Sequence, residues 1–237
     1  MQEMVICAIE PFTSPVWGSN CVLFASQTAA AIPEESSKAY ISRCCKYAKQ
    51  NNIYLIPERF ALMGYQCMCI ISPDGAVLGA QKNLFRNTDF PGAKRSNTIE
   101  IIHTGFGGIY LCTDVDIFRP ETVRIAASMG AQFVICSMQI SMADYNSGMV
   151  VAGPWNAAQS NHVYVIAVSN AFRCVCAPRS LTRNDDGFLM APSLKLPMTA
   201  NLSRSYLMTM PQRFCLSRKL YAVHREELAG GAERRRI

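Results

Sequence analysis

No stretch of this sequence approaches the run of about 18 apolar residues that marks a membrane-spanning helix, so no segment reads as a membrane anchor. The opening residues, Met1 to Cys7, have no cationic segment ahead of a long apolar one. That lacks the pattern of an export signal and predicts a cytoplasmic protein. Charge is scarce, at 17% of residues against 50% apolar, which excludes a disordered polyelectrolyte and leaves ample material for a core. Histidine is rarer still: His103, His162 and His224 are scattered, and none has a second His or Cys at metal-ligand spacing. The pairs Cys67-x-Cys69 and Cys174-x-Cys176 are too closely spaced for a structural zinc site, so no metal is expected. No repeat and no composition break divides the chain, which predicts one domain.

Cysteine, by contrast, is plentiful, with 11 in 237 residues. The number is odd, and Cys7, Cys112 and Cys136 sit inside apolar runs. They read as small hydrophobes rather than as a disulfide framework. Lys and Arg total 23 against 17 Asp and Glu, a net charge of +6. The surplus gathers late, in Arg204, Arg213, Arg218, Lys219, Arg225 and the run Arg234-Arg235-Arg236. No aromatics interleave that run and no nucleic-acid-binding module frames it. Residues 230–237 therefore read as a flexible basic tail, with neither nucleic acid nor membrane as partner.

Apolar runs alternate with helical stretches. Met4–Ile9 reads as a buried strand, and Pro33-Glu34-Glu35 opens a helix running to Gln50. Ile53–Ile56 is a strand. Tyr65–Ser72 and Ala76–Ala80 form a hairpin on the turn Pro73-Asp74-Gly75. Strands over Gly107–Cys112, Ala131–Cys136 and Val163–Val168 alternate with helices from Pro120 to Met129 and from Trp155 to Asn161. Gly187–Met190 and Tyr206–Met210 are weaker strand candidates. The alternation argues for packed α/β layers.

Three reactive side chains stand at expected strand ends, where layered folds gather ligands. Glu10 closes the first strand, Lys82 follows the hairpin, and Cys112 precedes a loop that leads into a helix. Each alone reads equally as a loop acid, a surface lysine and a core thiol. Their order, with their flanks, resembles the nitrilase superfamily of carbon–nitrogen hydrolases. The resemblance rests on Met4-Val-Ile-Cys-Ala-Ile-Glu10-Pro, on Pro73-Asp-Gly leading to Lys82-Asn-Leu-Phe85, and on Gly108-Ile-Tyr-Leu-Cys112-Thr-Asp114 with Pro120-Glu121 and Gly130-Ala131 behind it. Pro154-Trp155 through Ser169-Asn170 is also similar. The likeness runs from about residue 4 to residue 170.

The resemblance implies a four-layer α-β-β-α sandwich that hydrolyses a small amide, carbamoyl compound or nitrile without any cofactor. Cys112 would be the nucleophile, Glu10 the general base, and Lys82 with the backbone N–H of Thr113 the oxyanion donors. Asp89 matches a further acid found in many relatives, and reads equally as an ordinary loop acid. Thr113 stands where an aromatic often follows the cysteine, and the gap from Cys112 to Pro120 is longer than usual. Relatives carry a strand and a helix ahead of the Glu strand. Residues 1–237 are therefore expected to be one N-terminally truncated domain, with an unpaired sheet edge where those elements would lie. The competing reading is a non-catalytic relative that only binds or oligomerises. A homodimer or larger homo-oligomer is expected in either case.

Overall fold

The computed structural model describes residues 3–25, 31–85, 92–140 and 142–208. In chain order these form β1 (Met4–Ile9), β2 (Cys21–Phe24), α1 (Glu34–Asn51), β3 (Tyr54–Ile56), β4 (Phe60–Leu62), β5 (Tyr65–Ile71) and β6 (Val77–Lys82). There follow β7 (Ile101–Thr104), β8 (Gly107–Thr113), α2 (Pro120–Ser128), β9 (Ala131–Ser137), α3 (Ser147–Val150), α4 (Asn156–Asn161) and β10 (Tyr164–Val168). The last elements are β11 (Arg173–Cys176), β12 (Phe188–Ser193), β13 (Met198–Leu202) and α5 (Arg204–Met208). One sheet has the order β13-β1-β2-β3-β5-β4, with β6 also paired to β5; the other runs β12-β11-β10-β9-β8-β7.

Strand alternation distributes the apolar residues into three layers of core. Ile6, Leu23 and Met68 of the first sheet meet Leu111, Ile135 and Ile166 of the second. The outer face of the first sheet, with Cys7, Val22, Leu55 and Cys69, packs on Tyr40, Cys44 and Tyr47 of α1. The outer face of the second, with Cys112, Val134, Cys136 and Cys174, packs on Val123 and Ala126 of α2 and Ala158 of α4. The stacking is therefore helix, sheet, sheet, helix, as the resemblance implies.

Local chemistry fixes the element ends. Pro120 occupies the first turn of α2, where a missing N–H costs nothing. Gly75 takes φ +87° in the β5–β6 turn, and a Cβ there would lie 2.9 Å from the Cys45 carbonyl oxygen. Two expectations are corrected. Residues Tyr206 to Met208 belong to a helix, not a strand, and the Tyr206 N–H donates to the Ser203 carbonyl at 3.2 Å. The edge beside β1 is not open: β13 pairs antiparallel along it, from Met4 opposite Leu202 to Ala8 opposite Met198. Met198, Ala200 and Leu202 add their side chains to the inter-sheet core, which is what holds β13 there. Among the described residues no helix is long and apolar enough to cross a membrane.

Candidate active site

Strand directions place the three expected reactive residues at one end of the sandwich. β1, β2 and β3 run parallel, β5 opposes β3, and β6 opposes β5, so β1 and β6 finish at the same edge. β8, β9 and β10 are parallel in the other sheet. Asp116, just past β8, accepts the backbone N–H groups of Leu84 and Phe85, just past β6, at 3.0 Å each. The same carboxylate accepts the Thr113 hydroxyl at 2.9 Å, and the Asp116 carbonyl accepts the Thr122 hydroxyl at 2.8 Å. Asp116 has no exposed surface. It ties the ends of β6 and β8 together across the two sheets.

At that shared end the side chains diverge. Directly opposed residues of an antiparallel pair project to one face. Lys82 opposes Cys67, whose side chain lies in the α1-facing core. Lys82 is exposed there, with Nζ 4.9 Å from the centre of the Tyr65 ring. It also offsets part of the effect of burial on Cys67, whose thiol is pushed up to about 11. The residue facing the inter-sheet space is Gln81, opposite Met68. Its amide donates to the Thr98 carbonyl at 3.0 Å and accepts the Glu100 N–H at 2.8 Å.

β8 repeats the pattern. Ile109 and Leu111 face the other sheet, while Tyr110 and Cys112 face the helices. Cys112 has no exposed surface and sits opposite Cys136 on β9. Burial first, then the neighbouring Cys136 thiol and the Asp116 carboxylate, raise the Cys112 thiol well above its usual range. In this arrangement the thiol is held protonated.

Glu10 stands at a bend just past the end of β1, half-buried. It lines a hollow of about 410 Å³, open to solvent, with Ile9, Thr13, Ser14, Val16, Leu196 and Pro197. Glu10 Oε1 is buried without a hydrogen-bond partner. The loop past Glu10 is anchored by Phe12, at φ +61°, whose ring packs edge-on against Phe24, Tyr40 and Tyr47 beneath the Arg43 guanidinium. The Tyr47 hydroxyl donates to the Thr13 carbonyl.

Thus the structure brings Glu10, Lys82 and Cys112 to one end but not into contact. No hydrogen bond or ion pair joins any two of them. Thr113 ends β8, its hydroxyl engaged by Asp116. Asp89, Cys215, His224 and the basic tail lie outside the described residues. Among the described residues no group of three or more His, Cys, Asp or Glu is placed to hold a metal ion. Sequence reasoning missed Asp116 and Arg173. Asp116 had no signal beyond its place in the lengthened gap after Cys112. Arg173 is a single charge inside the apolar run Ala171-Phe172-Arg173-Cys174-Val175-Cys176, the pattern of a buried cation.

No family model matches the chain, and no curated protein does. Solved structures do. A carbon–nitrogen hydrolase from Helicobacter pylori G27 superposes with TM-score 0.67 at 14% identity, covering 94% of each chain. A Cys-to-Ala mutant of the Nesterenkonia AN1 amidase, from the nitrilase superfamily, gives TM-score 0.65 at 17% identity, over 90% of this chain and 96% of that one. Another mutant of that amidase, with the acetamide moiety of fluoroacetamide added covalently to its active-site cysteine, gives 0.63 at 16% identity over the same shares. A shared layering of two sheets and flanking helices over nine-tenths of the chain, at identities this low, is a likeness of architecture: the chain has the fold of the nitrilase superfamily.

Proposed function

We propose that this protein is a nitrilase-superfamily carbon–nitrogen hydrolase acting on a non-peptide bond of a small amide, carbamoyl compound or nitrile, with amides favoured. The observation that carries the reading is the convergence at one end of a sandwich shared with amidases of β1, which Glu10 follows, and of β6 and β8, which bear Lys82 and Cys112.

In this reading the Cys112 thiolate attacks the carbonyl carbon and forms a tetrahedral oxyanion. Glu10 takes the thiol proton and passes it to the leaving amine, which leaves a thioester. A water deprotonated by Glu10 then releases the acid and frees the thiol. Lys82 and the Thr113 N–H are assigned to the oxyanion. The chemistry requires the end of β8 to turn, carrying the Cys112 sulfur from the helix face into the inter-sheet space. Lys82 must likewise cross from the α1 side.

A second reading is favoured by one observation. Cys112 is sealed on the helix face and Lys82 stands on the opposite outer face, which suits a relative that binds without turnover. A homodimer or larger homo-oligomer belongs to both readings, and light scattering of the purified chain measures it. Ammonia release from a panel of amides, carbamoyl compounds and nitriles separates the two. Release abolished by Cys112→Ala supports the hydrolase. Retained release in that variant, or none from a folded wild type, overturns it.

A further inference from the structure

The helix-facing side of the second sheet carries thiols that the proposed chemistry does not use. Cys136 lies on β9 directly opposite Cys112 on β8, and Ala167 of β10 and Cys174 of β11 continue the row. All three cysteines are free, have no exposed surface, and share one core layer with Cys176. Because β8 and β9 are parallel, the opposed residues stand side by side, with Cα atoms about 4.8 Å apart. A disulfide spans Cα separations of about 4.4–6.8 Å. After burial itself, the Cys136 thiol is the neighbour that does most to raise the Cys112 thiol, through a direct hydrogen bond.

The other pairings in the row are worse placed. Cys136 and Cys174 are two inter-strand spacings apart, about 9.6 Å, which is beyond the reach of a disulfide. Cys174 and Cys176 bring their sulfur atoms within 3.9 Å. They are, however, alternate residues of a single strand, with Cα atoms about 6.7 Å apart, at the long limit for the bond. Cys136 is therefore the thiol that Cys112 can reach in this layer. Side chains standing parallel on neighbouring strands must pinch together by roughly a few tenths of an ångström to bond. A bond under that strain is readily reduced, which makes it reversible.

We propose that Cys136 is the resolving thiol of Cys112, and that peroxide converts the pair into a reversible disulfide that holds Cys112 on the helix face. The proposed chemistry turns the end of β8 toward the inter-sheet space, and in that state Cys112 meets solvent. Its thiolate sulfur attacks one oxygen of hydrogen peroxide and the O–O bond breaks. Cys112 then carries S–OH, and the departing hydroxide takes up a proton to become water. When the strand end returns, the Cys136 sulfur attacks the Cys112 sulfur. The S–O bond breaks, the S–S bond forms, and the Cys136 proton leaves with the hydroxyl as a second water. The two thiols have lost two electrons and two protons, and the peroxide has gained them. Without a thiol in reach, the S–OH group goes on to the sulfinic acid, which thiol reductants do not restore. The finished bond ties β8 to β9 at the residue that must move, so the nucleophile stays withdrawn until a reductant opens it. Formation of the bond needs no turnover; only the resulting loss of activity rests on the hydrolase reading.

The test treats the full folded chain with hydrogen peroxide, blocks remaining thiols with N-ethylmaleimide, and digests with trypsin without reduction. Cys112 and Cys136 fall in separate peptides, 96–124 and 125–173, and each peptide has no other cysteine. Mass spectrometry is expected to find the two joined, and dithiothreitol to part them. Cys136→Ala should give no joined peptide and carry Cys112 to the sulfinic acid, beyond recovery by dithiothreitol. Cys136→Ser serves the same purpose should the alanine variant fold poorly, and the wild-type result depends on neither. A wild-type Cys112 that ends as the sulfinic acid, stays reduced through prolonged treatment, or is passed over for a Cys174–Cys176 bond overturns the inference. Where the wild type releases ammonia, release should fall in step with the joined fraction and return with dithiothreitol; activity retained by the joined form overturns the withdrawal of the nucleophile. A joined peptide in a chain that releases no ammonia upholds the disulfide and overturns only the hydrolase.

Discussion

Asp116 accepts the backbone N–H of Leu84 at 3.0 Å, so a side chain just past a strand of one sheet holds the main chain just past a strand of the other. With Phe85 and Thr113 as further donors, one buried carboxylate sets the spacing of the two strand ends. Removing it strands several donors at once. Asp116→Ala is expected to cost about 2–4 kcal/mol, as breaking a buried hydrogen-bonded network does, and urea unfolding measures it. Asp116→Asn keeps acceptor capacity on one atom and costs less. Hydrogen exchange of the Leu84 and Phe85 amides should quicken in both variants.

The alternation at the end of β6 has its own test. Lys82 is exposed beside Tyr65, so Lys82→Ala should change stability by less than about 0.5 kcal/mol. Gln81 is buried between the sheets and bridges β6 to residues 98–100, so Gln81→Ala should cost about 1–3 kcal/mol. Chemical denaturation of the two single variants compares them directly, and equal effects would refute the assignment of faces.

The thiols predict an alkaline limit. Burial raises Cys21 and Cys44 to about 12 and Cys67 to about 11, and it also raises Cys112 well above its usual range. An unfolded thiol releases its proton near pH 8.5, so above that pH the folded chain binds more protons than the unfolded one and stability falls as pH rises. Each such thiol contributes up to about 1.4 kcal/mol per pH unit between its unfolded and folded values. Urea midpoints at pH 8, 9 and 10 should drop progressively. In native protein at pH 8, iodoacetamide should label the half-buried Cys45 well before Cys112. Early labelling of Cys112 would show that the end of β8 opens.

Gly75→Ala tests the hairpin turn. The left-handed backbone and the 2.9 Å approach to the Cys45 carbonyl both oppose a Cβ. The expected loss is about 1–3 kcal/mol, read as a lowered thermal midpoint.

Much of this was legible from the residues. The apolar runs gave β1, β3, β9 and β10 within a residue or two, and Pro73-Asp74-Gly75 and Pro120 marked a turn and a helix start because their backbone demands are local. β2 was hidden by its four-residue length, and β11 by the charge at its head. Glu10 was readable as the acid at a strand end. Which of Gln81 and Lys82 faces inward was not. β6 begins with two exposed apolar residues, Val77 and Leu78, and an irregularity opposite Ile70 and Ile71 shifts its register, so the sequence shows no alternation to follow. A shift of one residue reverses the face of every side chain in a strand.

The pairing of β1 with β13 makes the first strand of the described chain depend on one almost two hundred residues later, Met4 lying opposite Leu202. During synthesis β1 emerges long before its partner β13. Until residues 198–202 leave the ribosome, β1 has β2 on one side and an open row of amide and carbonyl groups on the other. Contacts this distant in sequence form slowly. The interval is therefore the period when a nascent copy is most able to pair with a neighbouring one.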